Sequence, residues 1–87
     1  MSTIGAEIGQ MQSLKSTFDR ESQNVNQLTT TISGQVTSTW WKGPAADRFR
    51  TAWESQFAPT LRQLETALQE ASTEIARRSE APTQAGS

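Results

Sequence analysis

The sequence predicts an all-α fold: an antiparallel helical hairpin that dimerises into a four-helix bundle. Three observations lead there. Apolar residues recur every three or four positions along both halves of the 87-residue chain. One reversing stretch, Trp40-Trp41-Lys42-Gly43-Pro44, separates the halves. Only 33% of the residues are hydrophobic, and a chain this short seldom closes a core without a partner. The expected division is a hairpin over residues 1–80 (helix about 2–39, turn 40–43, helix about 44–80) and a disordered tail over 81–87.

The first helix rests on Ile4, Ile8, Met11, Leu14, Phe18, Val25, Leu28, Ile32 and Val36. Such steps describe a helix with one buried stripe. Ile4, Met11, Phe18, Val25 and Ile32 repeat at a strict heptad interval, as in a coiled-coil seam. Leu14 and Leu28 fit the facing seam position, whereas Glu7, Glu21 and Gln35 do not. The weak stretch is Thr29-Thr30-Thr31-Ile32-Ser33-Gly34, because β-branched residues and glycine are poor helix formers. Its local alternative is a β-hairpin turning at Ser33-Gly34, with Leu28, Thr30 and Ile32 facing Val36, Ser38 and Trp40. The helix is preferred because the stripe passes through Gly34 in phase.

The turn follows from backbone sterics. Proline disfavours helical geometry in the residue before it, so the first helix stops by Gly43. Glycine reaches positive φ at little cost, which suits a tight reversal. Pro44 lacks an amide hydrogen, which costs nothing at the first position of a new helix. Asp47 then falls in the first turn, where the helix dipole favours negative charge.

The second helix carries Ala46, Phe49, Trp53, Phe57, Leu61, Leu64, Leu68, Ala71 and Ile75 on one face. Pro59 interrupts it, since an interior proline removes one backbone bond and costs ~3 kcal/mol. The stripe Trp53, Phe57, Leu61, Leu64 continues across Pro59, so the expectation is a kinked helix, not two helices. Met11, Phe18, Trp53 and Phe57 are large for a two-helix interface. A second hairpin would cover them, and with Val25, Phe49, Leu61, Leu64 and Leu68 they form the expected core and dimer stripe. The tail Ala81-Pro82-Thr83-Gln84-Ala85-Gly86-Ser87 has no apolar anchor.

Composition removes several functional classes. Net charge is −1 with both signs in each half, so there is no basic footprint for nucleic acid. No apolar run reaches membrane-spanning length, and the N-terminus has no basic region followed by an apolar core, so a cleavable signal peptide is not expected. The chain contains no histidine, cysteine or tyrosine, which removes the common general bases and nucleophile–histidine pairs. No metal, cofactor or catalytic site is expected. Asp19 with Glu21 and Glu70 with Glu74 are the available carboxylate pairs; the first diverges on a helix, and the second reads as a solvated cluster with Arg77 and Arg78. Phe18, Phe49, Trp53 and Phe57 read as core by their periodicity. Trp40 and Trp41 are adjacent and cannot face the same way on a helix. One is expected to pack across the bend, leaving the other as a recognition ring; the alternative is that both plug the open end of the hairpin.

Trp41-Lys42-Gly43 at the middle of a small helical chain, with Ala45, Ala46 and Phe49 after it, resembles the Trp-X-Gly, ESAT-like family of type VII secretion substrates of actinobacteria and other Gram-positive bacteria. The likeness covers nearly the whole chain; Trp41 and Gly43 match the motif, and Trp40 is an extra ring before it. The resemblance implies a non-enzymatic hairpin that dimerises antiparallel with itself or a paralogous Trp-X-Gly protein. It also implies export in the folded state by the type VII secretion ATPase, without a cleaved leader. Members often carry a Tyr four residues before an acidic residue after the second helix. Here Ala76 stands four before Glu80, so the resemblance implies that the partner supplies that signal. Two rival readings are a cytosolic coiled-coil adaptor with a coincidental motif and a membrane-active hairpin. The polar faces are hydroxyl-rich and not the Lys/Arg-rich surface that anionic lipid selects, which weighs against the latter and against stable membrane insertion.

Overall fold

The structure, a computed structural model, describes the backbone of residues 2–86 and the side chains of residues 7–79. The chain forms α1 (Ser2–Ser38), α2 (Pro44–Ala52), a π-helical turn (Trp53–Phe57) and α3 (Ala58–Gly86). Among the described residues there is no strand. α1 folds back along α3 to give an all-α helical hairpin, 65 × 17 × 13 Å in its principal extents. The stretch Thr29–Gly34 is helical throughout, so the β-hairpin alternative is overturned. Its hydroxyls fit the helix: Thr29 is buried and donates to the Val25 carbonyl one turn back at 2.8 Å. α3 carries helical backbone to Gly86, beyond Glu80 where the sequence ended the helix. The side chains from Glu80 onward, where the disordered tail was expected, lie outside the described residues, as does that of Ile4.

The line along which the two helices touch differs from the stripe read in the sequence. On α1, Lys15, Phe18, Ser22, Val25, Thr29, Ile32 and Val36 are shielded, with Ser22 and Thr29 most deeply buried. Leu14 and Leu28, taken as the facing seam position, are each 48% exposed. The heptad row Phe18, Val25, Ile32 does line the contact. Its true partner row is Lys15, Ser22, Thr29 and Val36, one residue beyond the row that Leu14 and Leu28 suggested. Small hydroxyl side chains hold the centre of the seam, where they let the helices approach closely.

The second half shifts phase at the π turn. Before it one row of shielded residues runs through Ala46, Arg50 and Trp53; after it the row continues through Ala58, Leu61, Glu65, Leu68 and Ser72. Every step is three or four except the five from Trp53 to Ala58, which is the extra residue that a π turn absorbs. The Ala58 amide donates to the Trp53 carbonyl, five residues back. Pro59 explains the position. A proline in a regular helix drives its ring into the carbonyl four residues earlier, and a widened turn gives that ring room. Pro59 therefore does not break the helix; helical dihedrals run through Ala52 and Ala58.

The phase shift carries Phe57 and Leu64 off the seam. Together with Phe49 they are 43–49% exposed, so the expectation of core packing for Phe49 and Phe57 does not hold within one hairpin. Trp53 does pack inside, and its indole N–H donates to the Ser33 hydroxyl at 2.9 Å. Polar bonds across the seam set the register. The Ser72 hydroxyl donates to the Asp19 carboxylate. Ser22 donates to the Glu65 carbonyl at 3.4 Å, and the Asn26 amide to the Glu65 carboxylate at 3.2 Å. Among the described residues, every buried side-chain polar atom has a partner.

Candidate functional site

The turn end is built from both helices. α1 stops at Ser38, and Thr39 closes its last turn by donating its amide and its hydroxyl to the Gln35 carbonyl, at 2.9 and 2.6 Å. Gly43 caps α2 with φ 114° and ψ 172°, a conformation essentially reserved for glycine. A Cβ added at Gly43 would meet nothing within 4 Å, so the requirement is the backbone angle and not space beside an indole. Pro44 occupies the first turn of α2, Asp47 lies there too, and the Asp47 amide donates to the Gly43 carbonyl at 3.0 Å.

The two adjacent indoles separate. The Trp41 ring leans on Phe49, with centroids 5.9 Å apart and planes inclined by 48°, and remains 43% exposed. Trp40 is 85% exposed. The two rings therefore do not both plug the open end. Beneath Trp41 lies an apolar notch of about 230 Å³ whose walls include Ile32, Val36, Trp41 and Phe49.

Arg50 holds this end together, and the sequence reading passed over it. Its Nε donates to the Val36 carbonyl at 3.1 Å, and its two terminal nitrogens donate to the Trp41 carbonyl at 2.9 Å and the Thr39 carbonyl at 2.8 Å. A signal existed. α1 has no basic residue in its last turn and no glycine directly after it, so its final carbonyls needed donors from elsewhere. Arg50 is a cation two turns into the next helix, within reach of those carbonyls once the chain reverses.

The second feature is a one-sided apolar face. On α1, the rows Met11, Phe18, Val25, Ile32 and then Leu14, Leu28 lie progressively to one side of the buried Ser22–Thr29 line. On α2 and α3, Phe49, Leu61, Leu64 and Leu68 lie to one side of the buried Ala46–Ser72 line. At ~100° per residue both displacements have the same sense about their own axes, and antiparallel helices bring displacements of the same sense to the same side of the hairpin. Phe57, against Trp53 with ring centroids 6.4 Å apart, adds to it at the π turn. The opposite side carries a shallow groove of mixed lining, in which Ser33, Thr37, Glu54 and Arg62 stand beside Val36, Trp53, Ala58 and Pro59. The predicted stripe residues thus divide. Trp53 is interior, Met11, Phe18, Val25, Leu61 and Leu68 are half-buried at the edge of the seam, and Phe49, Phe57 and Leu64 are open.

The carboxylate pairs behave as ordinary surface groups. Asp19 pairs with Lys15 at 2.8 Å, and Glu74 with Arg78 at 2.8 Å and Arg77 at 3.3 Å. The Lys15 ammonium, then the Ser72 hydroxyl, hold the Asp19 carboxyl below its ordinary pKa. No grouping of acidic residues that could hold a metal occurs among the described residues, and none of their helices is long and apolar enough to cross a membrane.

These features define a class: a helical hairpin reversed by a Trp-X-Gly turn, amphipathic across its width. The chain belongs to the family of "proteins of 100 residues with WXG", whose pattern matches residues 3–86. No curated protein and no solved structure matches it significantly.

Proposed function

We propose that the chain is a non-enzymatic type VII secretion substrate that leaves its cell folded, as a dimer of hairpins. The observation that carries this reading is the apolar face. It runs from Met11 and Leu64 to Phe49 and Trp41, and a single hairpin leaves it open to water. Contiguous exposed apolar surface marks an interaction site. A second hairpin of the same kind, first of all a second copy of this chain, matches it in length and chemistry. A symmetric pairing would set the same face on both subunits. Head-to-tail packing then places the Trp40–Trp41 turn of one hairpin near the last residues of the other. Residues 81–87, past the last apolar anchor, are proposed as the tail that the secretion ATPase reads together with Trp41.

The test is expression in a type VII-competent host, with culture supernatant and lysate blotted for the chain. Wild type is expected in the supernatant. Trp41→Ala is expected to stay in the cell while its melting temperature falls only slightly. Normal export of Trp41→Ala would remove the turn from recognition. Export of a Leu64→Asp variant shown to be monomeric would remove the dimer from it.

A further inference from the structure

We infer that Arg50 is the positioning residue of the turn: its guanidinium fixes how the Trp40–Trp41 pair is presented. The inference rests on the reading of the turn as a docking end, and it names what sets the geometry there. The three carbonyls that Arg50 engages belong to Val36 at the end of α1, Thr39 just past it and Trp41 in the loop. A planar fork can meet three acceptors in divergent directions, which a lysine ammonium on its flexible stem does not reproduce.

The consequence for the two rings is specific. Trp41 is held twice by neighbouring residues of α2, its carbonyl by Arg50 and its ring by Phe49. Trp40 lies between two carbonyls that the same guanidinium holds, those of Thr39 and Trp41. Its backbone is therefore restrained on both sides while its ring stands 85% exposed. An exposed indole on a restrained backbone loses little freedom when a partner covers it, which is how preorganisation raises affinity. Without the clasp, the Val36 carbonyl at the end of α1 would lose this donor, and residues 40–42 would be tethered chiefly by the Trp41–Phe49 contact. Arg50 also stands between the apolar notch under Trp41 and the groove on the other side, lining both.

The experiment labels the full chain with 5-fluorotryptophan and follows the three fluorine resonances, assigned with Trp40→Phe and Trp41→Phe, in wild type, Arg50→Lys and Arg50→Gln. The Trp40 and Trp41 signals are expected to shift and broaden in both variants, while the Trp53 signal and the helical circular dichroism stay in place. Lysine is expected not to rescue. Unchanged Trp40 and Trp41 signals in either variant would overturn the inference, even if Trp41→Ala blocked export. Export of Trp41→Ala would remove the docking reading and leave the fluorine result to stand by itself. Should the variants unfold, wild type suffices. The Arg50 Nε–H is expected to exchange with water more slowly than those of Arg48 and Arg62, and equal exchange for all three would overturn the clasp.

Discussion

Gly43 shows how little a residue's surroundings can matter when its backbone decides. Its φ of 114° lies where only glycine is at ease, and the space around it is open. Gly43→Ala and Gly43→Val should therefore cost nearly the same, ~1–3 kcal/mol each, because both pay for the angle and neither for a clash. Urea unfolding of the pair checks this; a valine cost far above the alanine cost would mean that packing matters there after all. Asp19 supplies the second residue-scale prediction. Its carboxyl is held below the ordinary value by Lys15 and Ser72, so the folded state binds this proton less readily than the unfolded chain. Its contribution is fully present above the ordinary carboxylate pKa of about 3.9 and disappears as pH falls through the lower folded value. Asp19→Asn should thus destabilise slightly at pH 7 and not at all in strong acid. Urea melts at both pH values would show it, and an equal difference at both would count against the pairing.

At the scale of the element, the π turn is the feature with the widest effect. It spends one residue to seat Pro59, and in doing so it turns Phe57 and Leu64 away from α1. Pro59→Ala alone should change stability little, since the widened turn already accommodates the ring. Deleting Ser55 removes the extra residue and forces Pro59 into regular helix, at a cost of ~3 kcal/mol. Combining the deletion with Pro59→Ala should recover most of that loss. Thermal unfolding of the three variants measures it, and a deletion as harmful with alanine as with proline would mean that the π turn serves something other than Pro59.

For the whole molecule, the seam is the informative part. Its centre is Ser22, Thr29 and Ser72 with Ala46 and Ala58, all small, while most of the larger apolar groups stand at its edge or outside it. Such a seam sets register through its hydroxyls and contributes little burial. The proposed partner would supply the rest, so folding and pairing should be coupled. Light scattering of pure protein at micromolar concentration is expected to give a dimer, and Leu64→Asp or Phe57→Asp a monomer with reduced helicity. A fully helical wild-type monomer would refute the coupling. Removing residues 81–87 should leave both the dimer and its helicity intact.

Much of this was legible along the chain. Helical periodicity, the Trp-X-Gly turn and the low hydrophobic content determine an all-α hairpin and its family, because they depend on local sterics and on spacing alone. Which apolar residues face the other helix was not legible. The seam follows Ser22, Thr29 and Ser72, and hydroxyls carry no periodic hydrophobic signal. The five-residue step at Trp53–Ala58 is invisible to any reading that assumes a regular helix. Arg50 escaped for a related reason: its acceptors lie 9 to 14 positions away and become neighbours only after the chain reverses. Local dihedral preference and periodicity are written in neighbouring residues; rotation about the helix axis past a proline, and the carbonyls that a distant guanidinium meets, are decided only when the two helices come together.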